Sequence, residues 1–320
     1  MKISIMTLFP SMFERFINTS IISRAKANNI VEIECIDIRD FALDRFKHVD
    51  DTPYGGGAGM ILKCQPVIDC LNSIKTANSH VILMAPVGKL FKQKMAHEFK
   101  KYDHLIIICG HYEGIDARVY DYVDELVSIG DYVLTGGELA AMVVADATIR
   151  LLKGSIDENS ALDESFENGL LEYPQYTKPS VYDGKKVPEV LLSGHHKNIE
   201  QYRLKMSLKT TLLNRPDLLE KITLDDRSQK LLVEIEEELK NVLEDKEENL
   251  LYDDLYNNKE NILDEIFAIL VKNEVVVRKD LIEIFANHNN YIVGYSKDDD
   301  ETNARNDIDE ALRAINSSYR

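Results

Sequence analysis

The first half of the chain alternates short, almost unbroken apolar runs with longer stretches of helical spacing. Ile3–Phe9, Val31–Ile38, His80–Pro86, His104–Cys109 and Asp124–Gly130 read as strands. Within them, VILMA and LIIIC are apolar at consecutive positions, the pattern of strands covered on both faces. Between the strands, Ser11–Asn28 (interrupted near Asn18), Gln65–Ala77, Lys89–Lys101 and Gly136–Leu152 carry helical periodicity. This order predicts an α/β unit, a parallel sheet covered by helices. Sheets of that kind bind ligands beyond the carboxyl ends of their strands.

The pattern changes after residue 152. Residues 153–168, KGSIDENSALDESFEN, are polar and acidic with few apolar anchors, and they read as a mobile linker. Residues 169–243 follow as a small helical domain, with helices expected at about 198–213 and 227–247. Residues 244–320 form an extra tail that opens on the charge run EDKEEN. Helices are expected there at about 259–271, 278–287 and 304–316, with a short YIVGY strand between the last two.

Charge refines this division. The chain has 320 residues, 38 basic and 55 acidic, a net charge of −17. Taken whole, that field is wrong for a protein that coats nucleic acid. It is not spread evenly. Residues 173–216 set Lys178, Lys185, Lys186, Lys197, Arg203, Lys205, Lys209 and Arg215 against Asp183, Glu189 and Glu200, a local excess of about five positive charges. The tail from 241 onward carries about ten net negative charges. A hydrophobic fraction of 44% excludes global disorder. The longest apolar stretch, Leu139 to Leu152, contains Asp146 and Arg150 and falls short of the about 20 residues of a membrane span. Cys35, Cys64, Cys70 and Cys109 form no CxxC pair and read as free core thiols. A cytoplasmic protein without a membrane segment is expected.

Three glycine-bearing segments stand where chemistry is expected. DDTPYGGGAGM (Asp50 to Met60) offers backbone N–H groups that can cradle phosphate, but lacks the GK[ST] ending of a nucleotide-triphosphate loop. CGHYEGIDARV (Cys109 to Val119) begins at the end of a buried strand. There Glu113 and Asp116 are either site acceptors or charges that favour a helix start. SIGDYVLTGGE (Ser128 to Glu138) joins the fifth strand to the apolar helix, and its glycines permit a tight loop. Three such loops at strand ends of one sheet point to a cofactor site.

Together with Phe9-Pro10, DESFENGLLEYPQYTKP and VPEVLLSGHH, these segments occur in an order and spacing that resemble the bacterial tRNA (guanine-N1)-methyltransferase family over about residues 1–243. The resemblance implies a parallel sheet with a deep trefoil knot at its C-terminal edge, the SPOUT class. It also implies a homodimer with active sites at the interface, S-adenosylmethionine as methyl donor, and tRNA as substrate, methylated on N1 of the guanosine 3′ of the anticodon (position 37). Donor-binding positions carried over are Met84, Ala85, Pro86, Gly110, Tyr112, Glu113, Ile129, Gly130, Asp131, Tyr132, Val133, Leu134, Gly136 and Gly137. Substrate contacts are expected at Asp50, Tyr54, Gly55, Gly56, Lys178 and His195.

Transfer to guanine N1 needs a base for the N1 proton and a cation for charge developing on O6. The family's base is an Asp in an Asp-Ser-Phe motif. Here Glu164 aligns with it, and Asp163 takes the role after a one-residue shift. Arg150 matches the O6-contacting Arg, and at a helix end it also suits the helix dipole. Val87, His111 and Lys178 depart from the family's frequent Gln, Arg and Arg; Lys178 still binds phosphate, without a bidentate fork. Two adjacent histidines, His195 and His196, suit phosphate contact better than one shared metal ion. The family works with Mg²⁺, but no carboxylate cluster specifies an all-protein site for it. The acidic tail lies outside the resemblance, and its apolar positions Ile262, Ile266, Ile269, Leu281, Ile284 and Phe285 suggest a protein partner.

Overall fold

The structure, a computed structural model, describes residues 1–157 and 164–253, with side chains up to residue 241. Asp163 and the elements expected beyond residue 253 lie outside the described residues. The chain divides into two compact units, Met1–Asn168 and Gly169–Arg320.

In the first unit the elements run β1 (Lys2–Thr7), α1 (Glu14–Ile17), α2 (Ser20–Ala27), β2 (Glu32–Asp37), β3 (Asp50–Asp51), β4 (Ile61–Leu62), α3 (Cys64–Ile74), β5 (Ser79–Leu90), α4 (Gln93–Phe99), β6 (His104–Cys109), β7 (Glu125–Ser128) and α5 (Glu138–Ile149). Five strands form one sheet in the order β2-β1-β6-β5-β7, with every pairing parallel. The apolar runs at its centre are buried on both faces because successive side chains point to opposite sides. Ile82, Leu105 and Ile107 pack with α2, α4 and α5 through Ala25, Phe99 and Val144. Val81, Leu83, Ile106 and Ile108 pack with α3 through Val67, Cys70 and Leu71.

One expectation changes. The helix expected from Lys89 begins only at Gln93, because β5 continues past Pro86 and pairs Lys89 and Leu90 with Val127 and Ser128. The register shifts between Met84 and Lys89. Gly88 makes this possible: a Cβ there would stand 2.3 Å from the Val127 nitrogen. The interruption expected near Asn18 within Ser11–Asn28 is present: a 3-10 turn and a short helix end at Ile17, and a second helix begins at Ser20.

At the amino end of the sheet, polar groups form a chain. Ser4 Oγ donates to Glu34 at 2.6 Å and lies 2.8 Å from His104 Nε2, and His104 Nδ1 lies 2.8 Å from Ser79 Oγ. Burial lowers the His104 pKa below its ordinary 6.5, helped by the Lys2 charge and opposed by Glu34 and Glu32. The four cysteines are free. Burial pushes the Cys35 thiol up to about 11 and Cys70 to about 12, and raises Cys109 well above its ordinary value, so none of these three is a ready nucleophile.

In the second unit, helix His196–Asn214 packs against helix Asp226–Asp253 around Leu170, Leu208, Leu231 and Ile235. The latter helix runs past the expected end near 247. Thr211 Oγ1 accepts from the Leu171 backbone N–H at 2.8 Å, and Ser207 Oγ donates to the Leu171 carbonyl, which fixes the entry of the chain onto the helix.

Candidate functional site

The glycine segments of the first unit meet at the carboxyl ends of the strands. Gly110 ends β6; its carbonyl accepts from the Gly137 N–H at 2.8 Å, and a Cβ on it would lie 3.6 Å from the Met84 carbonyl oxygen at the end of the buried part of β5. His111 bridges to Gly136. At Gly137 a Cβ would stand 2.9 Å from both Cys109 Cα and Gly110 N, so only glycine lets α5 begin this close to β6. Residues expected at a donor site from three separate segments, Met84, Gly110, Gly136 and Gly137, are therefore neighbours.

The rim is formed by exposed groups. Ala85 is half-buried and Pro86 exposed. The loop Ile129–Leu134 folds on itself: the Tyr132 ring covers Gly130, and its hydroxyl donates to the Ile129 carbonyl at 3.3 Å. Asp131 is exposed, as are Val133 and Leu134. Tyr112 has φ +62, a conformation non-glycine residues seldom take outside sites that require it.

The first glycine segment joins this group. Its end lies on the loop after β6: Ile61 bridges to Tyr112, and Glu113 N donates to the Met60 carbonyl at 3.0 Å. A Cβ on Gly59 would collide with the Glu113 side chain at 2.3 Å. The segment's beginning stands clear: Asp50 pairs with Leu62, Tyr54 is fully exposed, and Gly55 and Gly56 have positive φ with open space around them. Asp116 takes the simpler of its two sequence readings. Its carboxylate caps a short 3-10 turn by accepting from the Arg118 N–H at 3.0 Å. The Arg118 guanidinium holds its pKa down to about 2.

At the end of α5, Arg150 Nη2 donates to Glu164 Oε1 at 2.6 Å. The second carboxylate oxygen, Oε2, is buried with no hydrogen-bond partner among the described residues. Arg150 also continues the α5 backbone ladder as its C-cap. The helix-end reading of Arg150 is thus observed, and its pairing with Glu164 leaves room for the other.

Several site residues escaped the sequence reading. Glu138, 3% exposed at the first position of α5, accepts from Thr7 Oγ1 at 2.8 Å. His111 Nδ1 stands 4.0 Å from its Oε2, buried and without a hydrogen-bond partner. The signal for Glu138 was available: it is an acid opening an otherwise apolar helix. Glu167, expected to be a linker charge, is instead held by α4 through Gln93 and His97.

The expected substrate residues Lys178 and His195 belong to the second unit. Lys178 lines a cavity of about 470 Å³ with Tyr173, Tyr176 and Arg203, and the Arg203 guanidinium lies 4.9 Å from the centre of the Tyr173 ring. His195 caps the start of helix His196–Asn214 and is exposed. The basic segment is less free than its count implied. Lys205 pairs with Glu234 and Glu238, Lys209 with Glu238 and Arg215 with Asp217, while Lys178, Lys185, Lys186 and Lys197 are exposed. Among the described residues no three His, Cys, Asp or Glu side chains are grouped to hold a metal ion, and none of the helices is long and apolar enough to cross a membrane.

Comparison with known proteins shows the family. Residues 1–221 match the family described as tRNA (guanine-1)-methyltransferase TrmD. Proteins named tRNA (guanine-N(1)-)-methyltransferase are similar over most of their length. The one from Malacoplasma penetrans is 54% identical over 218 residues, 68% of this chain and 96% of that protein. The one from Ureaplasma urealyticum is 55% identical over 222 residues, 69% of this chain and 97% of its own. The one from Dictyoglomus turgidum is 49% identical over 241 residues, 75% of this chain and 98% of its own. The matched region contains the converging glycine loops and the Arg150–Glu164 pair, and the chain belongs to the tRNA (guanine-N1)-methyltransferase family.

Proposed function

We propose that this chain transfers a methyl group from S-adenosylmethionine to N1 of the guanosine 3′ of the anticodon in tRNA. The observation that carries the proposal is Glu164, with one oxygen fixed by Arg150 and the other buried without a partner among the described residues. A buried carboxylate oxygen with a free lone pair is costly unless a proton donor arrives. Guanine N1–H is such a donor. Glu164 Oε2 would take the N1 proton, which leaves an electron pair on N1 for the methyl group, while the bond from that methyl to the donor's sulfur would break and leave a neutral thioether. Arg150 carries five N–H donors, so the one spent on Glu164 leaves others for the charge on O6. Asp163 remains the alternative base.

The donor is placed beside Met84, Gly110, Gly136 and Gly137, where the glycines let three segments approach closely at the strand ends. When bound, S-adenosylmethionine supplies an electrophilic methyl group on a sulfonium. Ala85, Pro86, Ile129, Val133 and Leu134 give the walls apolar contact, Tyr112, Asp131 and Tyr132 line the rim, and Glu113 offers a carboxylate. The proposal includes a trefoil knot, supported by the return of Gly136 and Gly137 against the end of β6. No step runs through a metal ion.

The tRNA is bound by the exposed Lys178, Lys185, Lys186 and Lys197 and by His195, with Asp50, Tyr54, Gly55 and Gly56 contacting the nucleotide from the first unit. The working form is a cytoplasmic homodimer. Leu139 and Val143, four residues apart on α5, are each about half exposed and support a subunit contact there. Residues 244–320 take a protein partner rather than RNA, given their acidity. The deciding experiment is methyl transfer from labelled donor to a tRNA transcript with guanosine at position 37 and to one with adenosine there. Transfer only to the first is expected, and equal labelling of both would overturn the proposal.

A further inference from the structure

The linker was expected to be mobile up to Asn168, yet its downstream end is fixed at two points. Glu164 is held by Arg150. Three residues later Glu167, with its side chain only 16% exposed, meets α4. Gln93 Nε2 donates to Glu167 Oε1 at 2.7 Å. His97 Nε2 lies 2.9 Å from Oε2 and 3.1 Å from Oε1, so that an N–H on this nitrogen is shared between both oxygens. Gln93 and His97 are four apart and therefore stand on one face of α4, a spacing that makes a two-pronged grip for one carboxylate.

The two anchors are mechanically coupled. The Glu167 N–H donates to the Glu164 carbonyl at 3.2 Å, closing a tight turn. Within that turn Phe166 has φ +75 and an exposed ring. A phenylalanine in left-handed backbone persists only where its neighbours over-determine it. An exposed ring contributes little burial to hold it there, and the flanking carboxylate contacts are among the restraints on the turn. A carboxylate on a turn fixed at one end only would sweep over a wide range, and proton abstraction tolerates little displacement.

We infer that Glu167, gripped by Gln93 and His97, is a positioning residue that latches the end of the linker so that Glu164 faces Arg150. The inference rests on the reading of Glu164 as the base. Glu167 touches neither donor nor tRNA in this account; it acts through Glu164 alone. Removal of its carboxylate therefore lowers turnover and leaves donor affinity unchanged.

The test uses the full chain with E167A, E167Q and the double variant Q93A/H97A, which opens the grip without touching the linker. Turnover with the guanosine transcript is expected to fall about tenfold in E167A and in Q93A/H97A. KM for S-adenosylmethionine stays as in the parent, and E167Q, which keeps an acceptor for Gln93, recovers much of the rate. Because the effect passes through Glu164, E167A adds nothing further to the loss caused by E164Q. Hydrogen exchange over residues 164–168 speeds up in E167A and in Q93A/H97A. Parental turnover in both E167A and Q93A/H97A, or an equal loss with and without the Glu164 carboxylate, overturns the inference, as does unchanged hydrogen exchange. An E164Q protein with full activity instead overturns the assignment of the base, and accelerated exchange in E167A would then still report the latch as a structural contact.

Discussion

Arg150 and Glu164 are 14 residues apart in sequence and joined by a 2.6 Å hydrogen bond, and Glu164 Oε2 is buried without a partner among the described residues. The proposed function gives Glu164 the role of base and Arg150 that of O6-stabilising cation, so their removal should have different consequences. Glu164→Gln keeps the shape and loses proton acceptance, and turnover should fall by about 10² to 10⁴ at little cost in tRNA KM. Arg150→Ala should cost a similar factor, of about 10² to 10³, since it removes charge stabilisation. Asp163→Ala should retain most activity. Single-turnover methylation of the three variants checks this, and the reverse ranking of Glu164 and Asp163 would move the base by one residue.

Gly137→Ala tests the cradle. The added methyl would meet backbone atoms of Cys109 and Gly110 at 2.9 Å, and backbone cannot rotate away as a side chain can. Overpacking of this kind costs about 1–3 kcal/mol of stability. It also pushes α5 off the end of β6, so donor affinity measured by calorimetry should fall more than the melting temperature alone suggests. Parental affinity in a folded Gly137→Ala protein would place the donor elsewhere.

Lys178 tests the RNA surface. It is exposed beside Tyr173 and Arg203 in the second unit. Lys178→Ala should raise KM for tRNA several-fold, leave KM for the donor alone, and reduce the slope of log affinity against log salt by about one. Filter binding at three salt concentrations decides between a phosphate contact and a residue without one.

His104 makes stability depend on pH at the end of the sheet opposite the glycine loops. Its folded-state pKa is lowered from 6.5, mainly by burial. A histidine that stays neutral when folded contributes its full stability above the unfolded value, and loses it as pH falls through 6.5 toward the folded value. The melting temperature should therefore drop between pH 7 and pH 5. His104→Gln should flatten that part of the profile, and an unchanged slope in this variant would assign the effect to another group.

The sheet was legible because its central strands are apolar at every position. Runs such as Leu105–Cys109 have no polar face to offer water, so they declare burial on both sides. The limits of β5 were not legible. Lys89 and Leu90 look like a helix start, and only the close approach of Gly88 to Val127 keeps them in the sheet. The basic segment also misled in part, since sequence counts charges but does not pair them; Lys205 and Lys209 are already engaged with carboxylates of a later helix.

Of the candidate site, the sequence alone determined the residue types and their order: glycines at strand ends, a cation closing the apolar helix, an acid in the linker. These are local properties, written by backbone sterics and hydrophobic period. Only the tertiary structure decided which of them meet. Gly110 and Gly137 are in hydrogen-bond contact, Glu138 is buried against Thr7 from the start of the chain, and Glu167 is gripped by a helix about 70 residues earlier. Such contacts arise from how parallel strands stack and where their crossovers return, and the spacing of residues along a chain does not encode which loop lands on which.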